Sequence, residues 1–196
     1  MSDKLANRPA QMAPILRNRW SPRAFSSKPI PADEVTRLFE AAQWAMSCFN
    51  GQPWRFVYAT KDDAAAHARI VSVLAPANQT WAAAAPLIGI SIGRDHFEHN
   101  GDPNRWAAYD TGAAMALLTV QAESDGLKVH QMGGFDREKA KQELGIPEGH
   151  TPMAAFVVGY IGDPATLSDQ QRERELAPGS RKALGEIAFR GTWGGN

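Results

Sequence analysis

The segment that most constrains the fold lies in the middle of the chain. Helix-forming residues run from about position 104 to 125, and the centre, "AAYDTGAAMALLTVQA", is apolar on nearly every face. Gly126 suits the left-handed position just past the end of such a helix. A helix that is apolar all round must be covered on all sides, by its own domain or by a partner subunit. Because a chain of 196 residues has few other elements to surround it, we expect a second subunit to cover part of this helix.

Helices and strands are predicted on both sides of this segment. Apolar residues at helical spacing over residues 32–46 predict an amphipathic helix, and the alternation of Trp54, Phe56 and Tyr58 with other residues predicts a strand. The other predicted elements, in chain order, are a helix over 64–74, a strand over 86–93, a short helix between two glycine corners, and a strand over 153–161. The residues after Gly162 are mostly polar. This composition predicts that about 163–196 form a late arm with little hydrophobic core of its own.

Charge and cysteine content exclude several classes of function. The 21 Lys and Arg residues balance 21 Asp and Glu residues, so no long-range field favours a nucleic acid or an anionic membrane. The single Cys48 excludes an intramolecular disulfide, and no Cys or His pairs at finger spacing suggest structural zinc. The first residues, "MSDKLANRPAQ", lack an apolar signal segment, and the longest apolar run contains Pro86. We therefore expect a cytoplasmic protein with no membrane partner.

Two polar clusters could bind a ligand. In "RNRWSPRAF", Arg19, Ser21 and Arg23 alternate, so an extended backbone would direct them to one face. Two guanidiniums flanking a hydroxyl suit a phosphate, although a solvated basic turn explains this motif about equally well. In "SCFNGQPWRF", a Gly-Pro corner carries Ser47 and Asn50. Taken alone, that corner is best explained by capping of the preceding helix.

No other sequence feature indicates a catalytic or metal-binding site. The chain lacks the dinucleotide, P-loop, nucleophile-elbow and zinc-protease motifs. His96 and His99 are three residues apart, yet two histidines in a polar loop are more often surface residues than metal ligands. Cys48 has no His or Asp beside it in sequence, so it is better interpreted as a small hydrophobe than as a nucleophile. We predict no metal site.

Taken together and in order, the motifs resemble those of the FMN-dependent nitroreductases. The similar segments are "RWSPRAF", "SCFNGQPWRF", "GLKVHQMGGFDREKAKQELGIPEG" and "VVGYIGD", and the likeness spans roughly residues 17–187. The resemblance implies an α+β, three-layer fold with an antiparallel-rich central sheet flanked by helices, in an intertwined homodimer. It also implies a single FMN-binding domain over residues 1–196, in which about 163–196 form a C-terminal arm that wraps the partner.

The resemblance implies roles for eight residues, which would bind FMN at the subunit interface. Arg19 and Ser21 would hold the phosphate together with the late Arg181, and Arg23 would lie near the pyrimidine edge of the flavin. The remaining expected contacts are Ser47 and Asn50, which would touch a cofactor bound mainly by the other chain, and Gly133 and Gly134 at the reactive edge.

Several positions depart from the pattern of the family. Met46, Cys48 and Gly133 stand where members often have a proline, a serine and an acidic residue. Gly179 replaces a basic residue that is often found two positions before the late arginine, which implies fewer phosphate contacts. These departures leave the choice of substrate open. The loop from residue 94 to 105 lies where the family places its variable substrate wall, so Phe97 and His99 are candidates for the pocket.

The implied activity is that of an NAD(P)H oxidoreductase. It would reduce nitroaromatic or other electron-poor conjugated small molecules by ping-pong hydride transfer through flavin N5, with the chemistry carried by FMN and no catalytic side chain. The same scaffold could instead support an ene reductase, a dehydrogenase or a dehalogenase. Two alternatives are not enzymes: a non-catalytic flavin-binding or storage protein, and a dimeric interaction domain without cofactor.

Overall fold

The centre of the fold is a four-stranded antiparallel sheet. A computed structural model describes Leu5 and residues 8–195, and in it the strands are β1 (Trp54–Thr60), β2 (Leu87–Arg94), β3 (Lys128–Met132) and β4 (His150–Gly159). Their spatial order is β1-β2-β4-β3, and each neighbouring pair is antiparallel. The sequence places the two most apolar strands, β2 and β4, in the middle of the sheet.

Helices cover both faces of the sheet. They are α1 (Pro14–Asn18), α2 (Ala32–Gln43), α3 (Ala64–Ser72), α4 (Pro76–Ala82), α5 (Ala107–Ser124), α6 (Arg137–Leu144) and α7 (Asp169–Leu176). Short 3₁₀ turns lie between these elements or after them, at 48–50, 164–166 and 184–186. Helices α2 and α5 pack on one face, while α3, α4 and α6 pack on the other. The predicted α+β, three-layer fold is confirmed.

Two hydrophobic clusters fill the spaces between the layers. Leu38 and Met115 pack with Phe156 and Val158 on the α2/α5 side. The alternate residues of β4, Ala155 and Val157, face the α3/α4/α6 side. This division follows from the pleat, because successive side chains of a strand point to opposite faces. The two-sided cover explains why β2 is buried along nearly its whole length.

The ends of the elements differ from the predicted ranges where local hydrogen bonding changes. Helix α2 ends at Gln43 rather than near residue 46, because the N–H groups of Trp44 and Ala45 bond carbonyls three residues back and tighten the last turn. Strand β4 begins at His150, earlier than predicted, and carries Pro152 at a register shift opposite Ile92. A proline is tolerated there because the ladder is already interrupted.

The chain leaves part of helix α5 uncovered. Tyr109 is 72% exposed, and the small residues Gly112 and Ala116 on the same side are also exposed. The helix ends as predicted, with Gly126 in the left-handed conformation at φ +75°. The chain itself therefore supplies cover for only one side of its most apolar helix.

The late arm packs loosely against the rest of the chain. Between α7 and residue 195 the described arm has one helical segment, the 3₁₀ turn at 184–186, and Leu184, Ile187 and Trp193 are 73%, 64% and 92% exposed. Trp193 packs against Phe189 within the arm itself, with ring centroids 5.0 Å apart, and this contact leaves most of its apolar surface exposed. The single-domain organisation and the wrapping arm stay predictions.

Candidate functional site

Arginines from opposite ends of the chain lie close enough beside the end of α1 for their charges to act on one another. Arg19 follows α1 directly, and its Nη1 donates a hydrogen bond of 3.4 Å to Ser21 Oγ. Burial lowers the pKa of Arg19, and the positive charge of Arg181 lowers that pKa further, whereas Glu123 raises it. Arg181 itself is exposed on the late arm. The structure thus brings three of the predicted phosphate ligands into one basic cluster.

The segment that carries Arg23 is fixed by a buried carboxylate on α7. Glu175 Oε2 accepts a hydrogen bond of 2.8 Å from the Arg23 N–H, and Oε1 accepts one of 3.3 Å from the Ala24 N–H. Glu175 is only 2% exposed. The Arg23 guanidinium lies 6.0 Å from the centroid of the Trp81 ring, within the range of a cation–π contact. These contacts limit the positions that the Arg23 side chain can take.

A neutral histidine supports the same segment from β3. The His130 Nδ1 is 2.7 Å from the Pro22 carbonyl oxygen, which can only accept, so Nδ1 carries the hydrogen. The His130 ring packs at 4.6 Å from the ring of Trp81. Burial lowers the pKa of His130 to about 4, and the charges of Arg23 and Arg19 act in the same direction. At neutral pH His130 therefore braces the segment without adding a positive charge.

The corner at residues 47–52 is strained and braced. Phe49, Asn50 and Gln52 have φ values of 53°, 52° and 42°, in the left-handed region that residues other than glycine seldom adopt. Ser47 Oγ accepts a hydrogen bond of 3.0 Å from the Gln52 N–H, and the Gln52 side chain donates to the Asn50 carbonyl at 3.2 Å. Strain of this kind persists only where surrounding contacts over-determine it, and it concentrates at functional sites.

A buried acid on α5 anchors this corner. Asp110 is 3% exposed, and its Oδ2 accepts a hydrogen bond of 3.1 Å from the Cys48 N–H. A carboxylate in the first turn of α5 is also favoured by the partial positive charge of the helix N-terminus. Ser47 is partly buried, whereas Asn50 is exposed. The corner is thus held by its own polar groups and by Asp110 together.

Aromatic rings and a cleft adjoin the corner. The Phe49 ring, 79% exposed, lies 5.9 Å from the ring of Phe97 and 5.7 Å from that of His99. Phe49 and Phe97 also line a cleft of about 740 Å³, together with Trp106 and Met153. This volume lies within the range of about 300–1,000 Å³ that is usual for small-molecule sites.

The glycine corner after β3 shows two different environments. A Cβ on Gly134 would lie 2.8 Å from Asn78 Nδ2, which donates to the Gly134 carbonyl at 2.9 Å. A Cβ on Gly133 would meet open space. A side chain at position 134 would therefore displace the Asn78 amide and its bond to the backbone, while Gly133 presents an open backbone to solvent.

Within one chain, the basic cluster and the strained corner are separated. The corner bonds Asp110 near the start of α5, while the charge of Glu123 near the end of α5 acts on Arg19. These two α5 residues are thirteen positions apart, which is about 20 Å along a helix that rises about 1.5 Å per residue. A single chain therefore does not bring Ser47 and Asn50 next to Arg19 and Arg181.

The described part of the chain has no group of three or more His, Cys, Asp or Glu side chains that could hold a metal ion. None of the described helices combines the length and apolar character needed to cross a bilayer.

Comparison with known proteins assigns the family. Residues 16–160 match the model of the nitroreductase family, which covers more than half of the chain. The chain belongs to the nitroreductase family. This membership confirms the resemblance carried by the sequence motifs, and the matched range includes both the basic segment at 19–23 and the strained corner.

This nitroreductase-family chain is similar to proteins described as oxidoreductases and to an uncharacterized protein. A crystal structure described as an oxidoreductase containing FMN is 37% identical, with a TM-score of 0.91, and the match covers 100% of this chain and 99% of that chain. A Stenotrophomonas maltophilia protein with the provisional name NADH dehydrogenase/NAD(P)H nitroreductase is 30% identical, over 81% of this chain and 88% of the relative. An uncharacterized 15.4 kDa protein of Mycolicibacterium smegmatis is 46% identical, over 46% of this chain and 60% of that protein.

Sequence reasoning missed the residues that support the site of this family member. Asp110, His130 and Glu175 each bond the backbone of a segment that was predicted to bind the cofactor. No motif marks them, since each acts on a backbone group far away in sequence. The one available signal was an acidic residue inside the otherwise apolar α5, where Asp110 needed a buried hydrogen-bond donor.

Proposed function

We propose that this chain is an FMN-dependent NAD(P)H oxidoreductase that reduces nitroaromatic or other electron-poor conjugated small molecules. The observation that carries the proposal is the basic cluster itself: Arg19 donates to Ser21, and the charge of Arg181, from the opposite end of the chain, acts on Arg19. Like charges held together cost free energy unless an anion binds between them. Relatives described as an FMN-containing oxidoreductase and as an NAD(P)H nitroreductase support the same activity.

The donor set of the cluster fits the phosphate group of FMN. Guanidinium groups can bond phosphate oxygens in a bidentate manner, and the Ser21 hydroxyl adds a further donor. Glu123 acts on Arg19 with the opposite sign, but its Oε2 is shared with Lys128 in a short ion pair, so its charge offsets the arginines only in part. A phosphate monoester carries about −1.5 to −2 charges at pH 7. The cluster therefore has both the charge and the donors that this group needs.

The separation along α5 supports a composite site between two subunits. A two-fold axis near the middle of α5 would set the Asp110 end of one chain beside the Glu123 end of the other. The exposed small residues on α5 permit a close approach, and the exposed apolar residues of the late arm would gain cover. We therefore propose a homodimer in which one chain supplies the basic cluster and its partner supplies the corner with Ser47 and Asn50.

Each proposed ligand would have a distinct task. When bound, FMN supplies the hydride chemistry that protein side chains lack. Arg23, held by Glu175 and packed over Trp81, would stabilise negative charge at the pyrimidine edge of the ring. The open backbone at Gly133 and the adjoining Gly134 would offer N–H donors at the reactive edge. No side-chain nucleophile or metal is needed.

The aromatic cleft is the proposed place for the acceptor. Its Phe49, Phe97 and Trp106 rings offer flat apolar surfaces that suit a conjugated molecule. Because Phe49 belongs to the strained corner, the acceptor would lie next to the side of the flavin contacted by that corner. The class of acceptor and the cytoplasmic location expected from the sequence stay predictions.

An anaerobic titration tests the proposed function. The purified protein should show a flavin absorbance band that bleaches with NADPH or NADH and returns when a nitroaromatic is added. A bound flavin that neither nicotinamide reduces would instead favour a different donor or a storage role. Protein that contains no flavin and cannot be reconstituted with FMN would refute the proposal. Arg19→Ala should retain its fold but lose FMN on dilution.

A further inference from the structure

Arg8 links the N-terminal segment to the basic cluster. Its Nη1 donates to the carbonyl oxygens of Leu16 at 3.1 Å, of Arg17 at 2.6 Å and of Arg19. These carbonyls lie at the C-terminal end of α1, where backbone acceptors have no helical partner. Arg8 therefore closes the end of α1 and fixes the backbone from which the Arg19 side chain departs.

The charge of Arg8 is part of the same cluster. Burial lowers the pKa of Arg8, and the positive charges of Arg19 and Arg181 lower it further. Glu123 acts in the opposite direction on both Arg8 and Arg19, but its carboxylate is paired with Lys128. The charges of three arginines thus act on one another, and Glu123, which also pairs with Lys128, offsets them only in part.

Arg8 also retains donors for a ligand. Only Nη1 is bonded to the carbonyls, and no acceptor within the described residues pairs with Nε or Nη2. That edge of a guanidinium has the fork geometry that matches two oxygens of a phosphate.

We propose that Arg8 is a third arginine ligand of the cofactor phosphate, which binds through its free edge while Nη1 holds the backbone of Arg19. The inference rests on the proposed FMN site and adds a residue outside the motifs that predicted it. It assigns a binding role to a segment upstream of residues 16–160, the range that matches the family.

A comparison of FMN with riboflavin tests the inference, because the two flavins differ only in the phosphate. Arg8→Ala should weaken FMN binding about tenfold, which corresponds to one charge-assisted contact, and should leave riboflavin binding within about twofold on the same scale. Arg8→Lys should recover part of the loss, since it keeps the charge but not the fork. Arg17→Ala is the matched control on α1, because among the described residues the Arg17 side chain bonds only the Ala10 carbonyl, so its loss should change neither affinity.

Each outcome separates this inference from the proposed function. Equal weakening of FMN and riboflavin by Arg8→Ala, or no change in either, would overturn the role in phosphate binding while leaving the FMN enzyme in place. If wild-type protein binds neither flavin, the proposed function fails. Inorganic phosphate then decides the arginine cluster: a rise in Tm that Arg8→Ala abolishes and Arg17→Ala keeps supports Arg8 as a phosphate ligand. No rise in the wild-type protein would overturn that role too.

Discussion

Glu175 and Arg23 are 152 positions apart, yet the Glu175 carboxylate accepts a 2.8 Å hydrogen bond from the Arg23 N–H. Through this bond, α7 at the end of the globular part holds the segment that carries Arg19, Ser21 and Arg23. The position of the proposed cofactor ligands therefore depends on a helix that none of the binding motifs includes.

Replacing Glu175 should weaken both the fold and the site. Glu175→Ala leaves the buried N–H groups of Arg23 and Ala24 without an acceptor, which should cost about 1–3 kcal/mol in the free energy of unfolding. FMN affinity should fall as well, because the segment is no longer fixed. Glu173→Ala, an exposed acid on the same helix, should change the free energy of unfolding little. Urea denaturation and FMN titration provide both readouts, and equal behaviour of the two variants would contradict the positioning role.

Arg181 should matter far more than the lysine beside it. Arg181→Ala removes a guanidinium that acts on Arg19 and Arg8, so FMN affinity should fall by about tenfold or more, the size of a charge-assisted contact. Lys182→Ala removes the same charge from the next, equally exposed position and should reduce FMN affinity only slightly. Fluorescence titration at two salt concentrations measures both losses. Similar losses in the two variants would indicate that only net charge of the arm matters.

The stability of the protein should fall in acid partly through His130. Its folded-state pKa of about 4 lies below the ordinary value of 6.5, so between these values the unfolded chain binds more protons than the folded one. The contribution of His130 to the free energy of unfolding is therefore fully present above about pH 6.5. It is lost as the pH falls toward 4, which lowers the free energy of unfolding by up to roughly 3 kcal/mol. His130→Gln keeps a donor for the Pro22 carbonyl but cannot titrate. Denaturation at pH 7, 5.5 and 4 should show a shallower fall for this variant, and parallel curves would contradict the assignment.

Mixed subunits should reveal whether the site is composite. Arg19→Ala damages the basic cluster, while Ser47→Ala with Asn50→Ala damages the corner, and each variant alone should have low activity. If a site takes its halves from different chains, a mixed dimer carries one site with both defects and one intact site. Mixing should then restore activity toward half of the wild-type value per mixed dimer. Failure to restore activity in mixed dimers isolated with two affinity tags would place both halves in one chain.

Much of the fold could be predicted because its signals are local. The alternation at Trp54, Phe56 and Tyr58 predicted β1, and the left-handed glycines at 126 and 145 lie just past the helices that they were expected to end. Predicted element ends were less accurate. The tightened last turn of α2 and the register shift at Pro152 depend on hydrogen bonds that the pattern of apolar residues does not report.

The candidate site likewise has a part that local sequence predicts and a part that depends on long-range contacts. The sequence by itself determined the family and the segments at 19–23 and 47–52, because the types and spacing of side chains are written in the chain order. Only the tertiary structure brought Arg8 and Arg181 to Arg19, and it alone placed Glu175, His130 and Asp110 against backbone groups of those segments. These contacts join residues far apart in sequence, and they arise because burial of the apolar faces of the helices and sheet carries such residues together.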